Sequence, residues 1–580
     1  MKGCDYVRQY NLLDEPWISV VVDKKGNTEN VSLIQVFTNA HRYSGLAGDT
    51  KTQDFAVLRV LLAVLHTVFS RFDEEGEVYE VLDLDEKWIP REEVVDEDDA
   101  KAYREAMYET WVNLWKKGQF PTVVEEYLEK WRNRFFLLDE EYPFFQVTKK
   151  DVDPTVIVSQ RRNPANPTTI LGRYINRQVS ESGTNPNNIA KKALFSPKAD
   201  KGRNKDKLTL SQIARWLITF QGYTGLADKA AFVEKDYRAS KGWLYDIGGI
   251  YVEGGNLFKT LLLNCALVHP ETQYHDKTQR PCWEFTSEEI INRYLQIGEI
   301  NNLAELYTNW SRAIYIDPKE DYSDIFSLDI VKLPDITHED QFLELMSLWR
   351  YNTRGPTKDK YTPRKHRANQ AMWRSFGLIT LSYHVLDKKD KNVPQRKPGI
   401  IDWINKIGKH VGNPTLTLNA ISMQDDGNAT SWVPVDEIYD VLNIREAVLT
   451  DVEEEGWIPR INDVVEETKT VIDWTFRNFL KELKEIRNMS SDGFVDREVE
   501  ELYFLVDQPF REWISALQFT SDKDDRIFAW RETLKQLTLQ KAQQILQQAG
   551  PRDYTGIMKE DGVQNIATAY NRFLYFLYRQ

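Results

Sequence analysis

The stretch Asp54-Phe55-Ala56-Val57-Leu58-Arg59-Val60-Leu61-Leu62-Ala63-Val64-Leu65-His66-Thr67-Val68-Phe69-Ser70-Arg71-Phe72 contains the longest apolar run in the chain, near Val57–Val68. Phe55, Leu58, Leu61, Leu62, Leu65, Val68 and Phe69 recur at the spacing of one helix face, which predicts an amphipathic helix. Arg59 and His66 interrupt the run, which is too short and too polar to span a bilayer. It reads as a core helix. The opening Met1-Lys2-Gly3-Cys4-Asp5-Tyr6 has no apolar run of signal-peptide length. The expectation is a soluble, cytoplasmic protein without a membrane partner.

Upstream, Leu12–Val22 is apolar and bounded by Lys24-Lys25-Gly26-Asn27, which predicts a strand, a hairpin turn and a return through Val31–Leu33. Downstream, Ala100–Trp115 and Pro121–Phe135 read as helices. Leu210–Phe220 reads as a short helix that starts after Thr209 and ends at Gly222, and Leu257–Leu267 as a buried helix or strand. Cys282–Phe285 reads as extended, and the glycine pairs Gly248-Gly249 and Gly254-Gly255 as tight turns. Beyond Trp457 strand signals fade. Ile461–Arg487, Arg497–Phe519, Arg526–Gln548 and Gly556–Leu577 show helical periodicity, broken at Ser490-Ser491-Asp492-Gly493, Ser521-Asp522-Lys523-Asp524 and Gly550-Pro551. The fold class is therefore α+β: a large mixed α/β domain over residues 1–450, then an antiparallel four-helix bundle over residues 451–580.

The 580 residues carry a net charge of −14, which argues against coating of nucleic acid or anionic membrane by bulk charge. The charge is unevenly placed. Residues 73–141 hold 22 acidic and 9 basic side chains, whereas residues 149–207 hold 13 basic and 5 acidic. Residues 350–397 hold 13 basic and 3 acidic. Both basic stretches are rich in Pro, Gly, Asn and Thr, so they read as basic loops in an acidic protein, the pattern of a focused anion site.

Catalytic motifs are scarce. There is no phosphate-cradling G-x-x-x-x-G-K-[ST], no H-E-x-x-H and no G-x-S-x-G. Cys4, Cys265 and Cys282 form no C-x-x-C pair. Cys265, His269, His275 and Cys282 are the best metal candidates, at irregular spacing; a buried cysteine with loop histidines is the plainer reading. His275-Asp276 matches the ligand dipeptide of phosphohydrolases but lacks companion histidines. The balance favours a binding protein over an enzyme, with no catalytic residue, no metal and no cofactor. A metal-dependent hydrolase or nuclease using His275 and Asp276, and a protein-only scaffold, are the alternatives.

Several segments then fall into a familiar order: Tyr10-Asn11-Leu12-Leu13-Asp14-Glu15-Pro16-Trp17-Ile18, Val31-Ser32-Leu33, Leu46-Ala47-Gly48-Asp49, Tyr142-Pro143-Phe144-Phe145-Gln146, Gly222-Tyr223-Thr224-Gly225, Cys282-Trp283-Glu284 and Met372-Trp373-Arg374. This order resembles the CasA family, the large subunits of type I-E CRISPR surveillance complexes (Cascade), over nearly the whole chain. The resemblance implies antiviral defence by recognition of a protospacer-adjacent motif (PAM) in double-stranded target DNA through the minor groove. It also implies opening of the duplex for guide-RNA pairing (an R-loop) and recruitment of a helicase–nuclease. The partners it implies are target DNA, CRISPR guide RNA and other Cascade subunits, including the small subunits that the bundle contacts.

The resemblance also implies site residues. Its glycine loop falls on Gly222, Tyr223, Thr224 and Gly225, where small residues let backbone approach the groove floor. Its lysine finger falls on Lys358 or Lys360. Its duplex wedge falls on Asn428 or Gln424, near the hairpin tip Asp425-Asp426-Gly427. Its guide-RNA-end loop falls on Tyr174, Ile175 and Asn176, with Arg161, Arg162, Lys191, Lys192 and Arg203 as further nucleic-acid contacts. Some members carry zinc on two cysteine pairs; here Ala193-Leu194-Phe195-Ser196 stands where the first pair would fall, so no such zinc is expected.

Overall fold

The structure, a computed structural model, describes residues 10–153, 155–159, 169–171, 175, 208–225, 230–232, 237, 241–296, 299–318, 326–382, 384–386, 392–425, 427, 434–560 and 562–579. Two compact units divide the chain: Met1–Ala368 with Ser382–Val411 and Leu418–Asp440, and Asn369–Leu381 with Gly412–Thr417 and Val441–Gln580. The mixed unit and the helical unit together give the expected α+β class. The helical unit starts before residue 450 and takes in two earlier segments.

In the first unit, β1 (Ile18–Val21) and β2 (Thr28–Val31) form the expected hairpin, with Ile18 opposite Val31. Asp23 builds its turn: Oδ1 accepts from the amides of Lys25 (2.8 Å) and Asn27 (3.0 Å), while Gly26 takes φ +82°. The strand is shorter than the apolar run, because Leu12 and Leu13 enter the core ahead of it. β3 (Gly45–Leu46) pairs with the other edge of β1.

The long apolar stretch forms α1 (Lys51–Phe69). Thr50 caps it by accepting from Gln53 N (3.1 Å). Gln53 and Asp54 reach back to accept from the amides of Asp49 (2.9 Å) and Gly48 (2.6 Å). Glycine at position 48 leaves room for both oxygens, from which a Cβ there would lie 2.8 Å. Glu437 adds a carboxylate at the positive end of the helix, accepting from the amides of Lys51 (3.2 Å) and Thr52 (2.9 Å).

The one-faced expectation for α1 is wrong. Every residue from Thr52 to Phe69 is buried, because the chain packs around the helix on all sides. Its charged residues therefore need internal partners. Arg59 donates to both oxygens of Glu344 (2.9 and 2.8 Å). Just beyond the helix, Arg71 donates to both oxygens of Glu284 (2.8 and 3.0 Å). Tyr127 OH also donates to Glu284 (2.8 Å) and accepts from Trp283 Nε1 (2.9 Å). Cys282–Glu284 is a 3-10 turn rather than the expected extended segment, and Glu284 lies buried in it. α2 (Glu97–Lys117) extends past both ends of its prediction, from the cap Asp96 to Gly118 at φ +74°. α3 (Leu210–Tyr223) starts at Thr209 as expected, with a reciprocal cap to Gln212, but runs through Gly222. β4 (Gly249–Glu253), β5 (Trp349–Tyr351), β6 (Tyr361–Pro363), β7 (Thr415–Asp425) and β8 (Pro434–Arg445) supply the strands that matter below; β8, β7 and β4 are neighbours in that order in one sheet.

The helical unit contains four long helices. The first, α4, runs as Trp457–Thr470, a π turn at Val471–Phe476, and Arg477–Ile486. α5 (Gly493–Ser515), α6 (Lys523–Gln547) and α7 (Ile566–Leu577) follow. The last is shorter than predicted. Gly556 takes φ +71°, and a hairpin of Ile557–Lys559 with Gly562–Gln564 precedes Asn565, which caps α7. Trp373, from one of the early segments, stacks on Phe510 (centroids 4.4 Å apart) and donates to Asp507 Oδ1 (2.8 Å).

The buried charges make stability testable. Arg59→Met strands a buried carboxylate and is expected to lower stability in urea unfolding by about 3–5 kcal/mol. Arg59→Met/Glu344→Gln is expected to recover a large part of that loss. For pH, burial holds His66 near 3 and His269 and His366 near 4, below their ordinary 6.5. The unfolded chain binds those protons first. The stabilisation is therefore complete above pH 6.5 and is lost as pH falls toward 4. Thermal melts over that range are expected to show a shallower slope in His66→Asn than in the parent chain.

Candidate nucleic-acid interface

Three of the segments that the resemblance singles out meet one short stretch of the first unit, Lys241–Gly249. The first is the glycine loop. Gly222 sits inside α3, where a Cβ would lie 2.9 Å from Leu244 Cδ1. A Cβ on Gly242 would lie 2.3 Å from the Gly222 carbonyl carbon and oxygen, so two backbones touch there. Gly242 N donates to Thr224 O (2.9 Å). Tyr223 is 1% exposed and Thr224 is buried, so neither side chain reaches solvent; Gly225 is half-buried. Its carbonyl accepts from Arg312 Nη2 (2.5 Å). Gln221 fixes the same corner, accepting from the amides of Ser311 (2.9 Å) and Arg312 (3.0 Å).

The second is the basic hairpin. β5 and β6 pair with Trp349 opposite Pro363 and Tyr351 opposite Tyr361. Their connection carries both candidate lysines. Its stem is stiffened by edge-to-face rings: Tyr351 on Tyr361 (5.1 Å), Phe342 on Tyr361 (5.5 Å) and Phe342 on Trp349 (5.2 Å). Asn352 Nδ2 donates to Lys360 O (3.0 Å) and Thr362 Oγ1 (3.0 Å). The two lysines differ. Lys360 Nζ lies 2.7 Å from Asp340 Oδ2, with 52% of its side chain exposed, and that partner raises its pKa. Lys358 is 64% exposed, and its ion-pair partner among the described residues is its neighbour Asp359, at 3.6 Å. At the base, Leu348 N donates to Gly248 O (2.9 Å), and a Cβ on Gly248 would lie 2.1 Å from Arg364 O.

The third is the β7–β8 hairpin. Its tip begins as expected at Asp425, whose Oδ1 accepts from Gly427 N (3.0 Å), with Gly427 at φ +70°. Gln424 is exposed on β7. A Cβ on Gly249 would lie 2.7 Å from Ile421 Cγ2, and Ser422 Oγ donates to Ile247 O (3.1 Å). Gly248 and Gly249 are thus close-packing residues with ordinary φ, not the turn glycines that their pairing suggests.

Charged groups fill the centre of this arrangement. Asp246 forms ion pairs with Lys241 and, at 4.0 Å, with Lys365. Lys365 also meets Asp425 Oδ2 at 3.0 Å and lies 4.2 Å from the Tyr245 ring centroid. Burial opposes the Asp246 charge, but Lys241, His338 and Lys365 hold its carboxyl below the ordinary range. Sequence reasoning missed Trp243, Asp246 and Lys365. The signal lay in Gly242-Trp243-Leu244-Tyr245-Asp246-Ile247-Gly248-Gly249, where aromatic and acidic residues stand between small ones.

The remaining candidates fall elsewhere. Ile175 is fully buried. Tyr174, Asn176, Asn428, Arg161, Arg162, Lys191, Lys192 and Arg203 lie outside the described residues, as does the segment Ala193–Ser196. Cys265 and Cys282 are buried free thiols. His269 Nδ1 accepts from Glu271 N (2.9 Å), and Asp276 accepts from Arg104 Nη1 (3.0 and 2.8 Å). Among the described residues no group of three or more His, Cys, Asp or Glu is placed to hold a metal. The segments that carried the resemblance mostly do structural work. Trp17 Nε1 donates to Leu12 O (2.9 Å), Gln146 Nε2 to Leu137 O (2.6 Å), and Arg215 Nη1 to Trp17 O (2.7 Å).

Comparison with known proteins agrees with this architecture. The profile of the family described as CRISPR-associated protein Cse1 matches residues 11–541. The chain is 28% identical to CRISPR-associated protein CasA/Cse1 of Thermus thermophilus over 284 residues. That stretch is 48% of this chain and 42% of that protein, so less than half of the relative is spanned. The crystal structure of Thermobifida fusca Cse1 superposes with a TM-score of 0.75 at 21% identity, covering 100% of this chain and 98% of that one. A chain from a structure titled CRISPR RNA-guided surveillance complex superposes with a TM-score of 0.61 at 15% identity, covering 98% and 99%. The family profile spans most of the sequence and the fold matches from end to end: the chain belongs to the CRISPR-associated Cse1 family.

Proposed function

We propose that this chain is the large subunit of a CRISPR RNA-guided surveillance complex, a binding subunit that reads a short motif in duplex DNA and helps to open the duplex beside it. One observation carries the reading: the end of the glycine loop, the basic β5–β6 hairpin and the β7–β8 hairpin are all tied to Lys241–Gly249. In this reading Gly225 brings backbone to the minor groove. Lys358 enters it as the donor that meets the degenerate acceptor pattern there, and Lys360, held by Asp340, sets the hairpin and meets phosphate. Gln424 stands at the base of the hairpin that parts the strands. Gly222, Tyr223 and Thr224 shape the loop from inside the protein.

The acidic remainder of the chain suits this role. Bulk repulsion keeps non-specific DNA away, so affinity depends on a few placed cations and falls with salt. Guide RNA, the small subunits and a recruited helicase–nuclease are partners on the same reading. It is also favoured over hydrolysis at His275 and Asp276, because both Asp276 oxygens are taken up by Arg104.

The test is duplex binding by the reconstituted complex, with and without this chain, across a set of flanking sequences and two salt concentrations. Binding is expected to require the chain and to depend on the flank. Lys358→Ala is expected to cost about 1–3 kcal/mol and relax the flank preference. Lys360→Ala is expected to weaken all flanks alike and lower the salt slope by about 0.9. Gln424→Ala is expected to spare duplex affinity relative to Lys358→Ala while reducing permanganate reactivity of the first displaced thymines. Flank-independent binding that is unchanged without the chain would overturn the reading and leave a scaffold.

A further inference from the structure

The β5–β6 and β7–β8 hairpins are joined at their bases through β4, which pairs with β7 and bridges Gly249 to Ser347 just before β5; further out, both are bound to the three residues that follow β6. Arg364 N donates to Leu348 O (2.9 Å), which closes the base of the β5–β6 hairpin. Lys365 Nζ then meets Asp425 Oδ2 (3.0 Å) at the last residue of β7. His366 N donates to Ser422 Oγ (3.0 Å), and its Nε2 lies 2.9 Å from Gly249 O. Successive residues thus hold the stem of one hairpin, the tip-side end of the other, and the strand beneath both.

Lys365 is the only one of the three whose contact to β7 is made by charge. Its side chain is 22% exposed and that of Asp425 is 20% exposed, so the pair is shielded well enough to be worth more than a surface bridge. Asp246, from Lys241–Gly249, faces the same ammonium at 4.0 Å and is itself paired with Lys241. The Tyr245 ring lies beneath, 4.2 Å from Nζ and also within 5.2 Å of Lys241 Nζ. The ammonium therefore sits in a formed site, with two carboxylates and an aromatic face, rather than at a chance surface contact. Burial lowers the Lys365 pKa, and the two carboxylates oppose that shift.

We infer that Lys365 is a positioning residue: it fixes the Gln424 end of the β7–β8 hairpin relative to the Lys358/Lys360 hairpin, so that DNA recognition and strand opening occur at a set separation. The functional half of this inference rests on the DNA reading above; the structural half does not. A hydrophobic replacement that keeps the side-chain stem over Tyr245 should release the β7 end while leaving both hairpins folded.

The experiment has two arms. In the first, spin labels on Thr353→Cys and Gln424→Cys, in full-length chain with Cys4→Ser, report the distance between hairpins by pulsed electron paramagnetic resonance without DNA. The distribution is expected to be narrow in the parent and broad in Lys365→Met. Asp425→Asn should broaden it, the double variant should add nothing further, and Lys365→Arg should restore it. An unchanged distribution in Lys365→Met overturns the inference whether or not the chain binds DNA.

In the second arm, unlabelled Lys365→Met in the reconstituted complex is expected to retain flank-dependent duplex affinity within about twofold, while the opened fraction of bound duplex falls about tenfold, the lower end of what one charged hydrogen bond is worth. A constant ratio of opening to binding overturns the coupling. Loss of flank dependence in the parent complex instead overturns the DNA reading and leaves the first arm intact.

Discussion

The ion pair of Arg59 with Glu344 sets the terms for the first unit. An arginine in the middle of a helix buried on every side is tolerable only if its charge is met in full. Glu344 does so with both oxygens, and two further donors complete its shell: Trp243 Nε1 (2.6 Å) and Met346 N (2.9 Å). The arginine plane also lies 4.1 Å from the Tyr307 ring centroid. One carboxylate thereby fixes α1, the start of the Lys241–Gly249 stretch and the strand segment that leads into the β5–β6 hairpin. Trp243 in turn stacks on His338 (3.9 Å), whose Nε2 lies 3.0 Å from the Trp243 carbonyl oxygen. The surface elements proposed to touch DNA are thus referenced to a deeply buried charge pair.

Small residues do the rest of the positioning. At Gly242 and Gly248 another main chain passes at a distance that no side chain would permit, and Gly222 and Gly249 lie tight against the Leu244 and Ile421 side chains. Close approach at these points leaves little slack between the α3 corner, the base of the basic hairpin and β7 at Ile421, short of its Gln424 end. The cations that would face nucleic acid then project from stiff stems, and the surrounding acidic surface supplies contrast. Affinity concentrated in few contacts on a rigid frame favours discrimination over grip.

Much of this is legible in the sequence, and the failures have physical causes. The helix start at Thr209 and the turn at Lys24-Lys25-Gly26-Asn27 are read correctly because local chemistry marks them, a capping hydroxyl in one and a glycine in the other; the caps Thr50 and Asn256 and the turn's acceptor Asp23 are equally local but go unread. Periodicity misreads α1 because a helix surrounded by protein has no polar stripe; Arg59 and Arg71 look like solvent-facing residues until Glu344 and Glu284, far along the chain, are brought to them. The same blindness to distant partners hides Asp246 and Lys365. Gly222 looks like a helix stop and Gly248-Gly249 like a turn, because a glycine needed for another backbone's approach is indistinguishable in sequence from one needed for its own dihedral angles. The Gly556–Leu577 region reads as one helix since its apolar spacing persists through a hairpin. The two lysines can be named but not ranked: the partner that separates them, Asp340, lies on a different segment.

Trp373 bears on how the chain is made. Its partner Asp507 is 134 residues further along, and Phe510 lies beyond that. At ribosomal rates of about 5–20 residues per second, the tryptophan emerges roughly ten seconds before its socket exists. During that interval the ring and its N–H lack the partners they have in the native chain. The helical unit is not closed by its own contiguous residues, and a gene fragment cut at the start of the long helices would encode a bundle lacking the ring that meets Asp507 and Phe510.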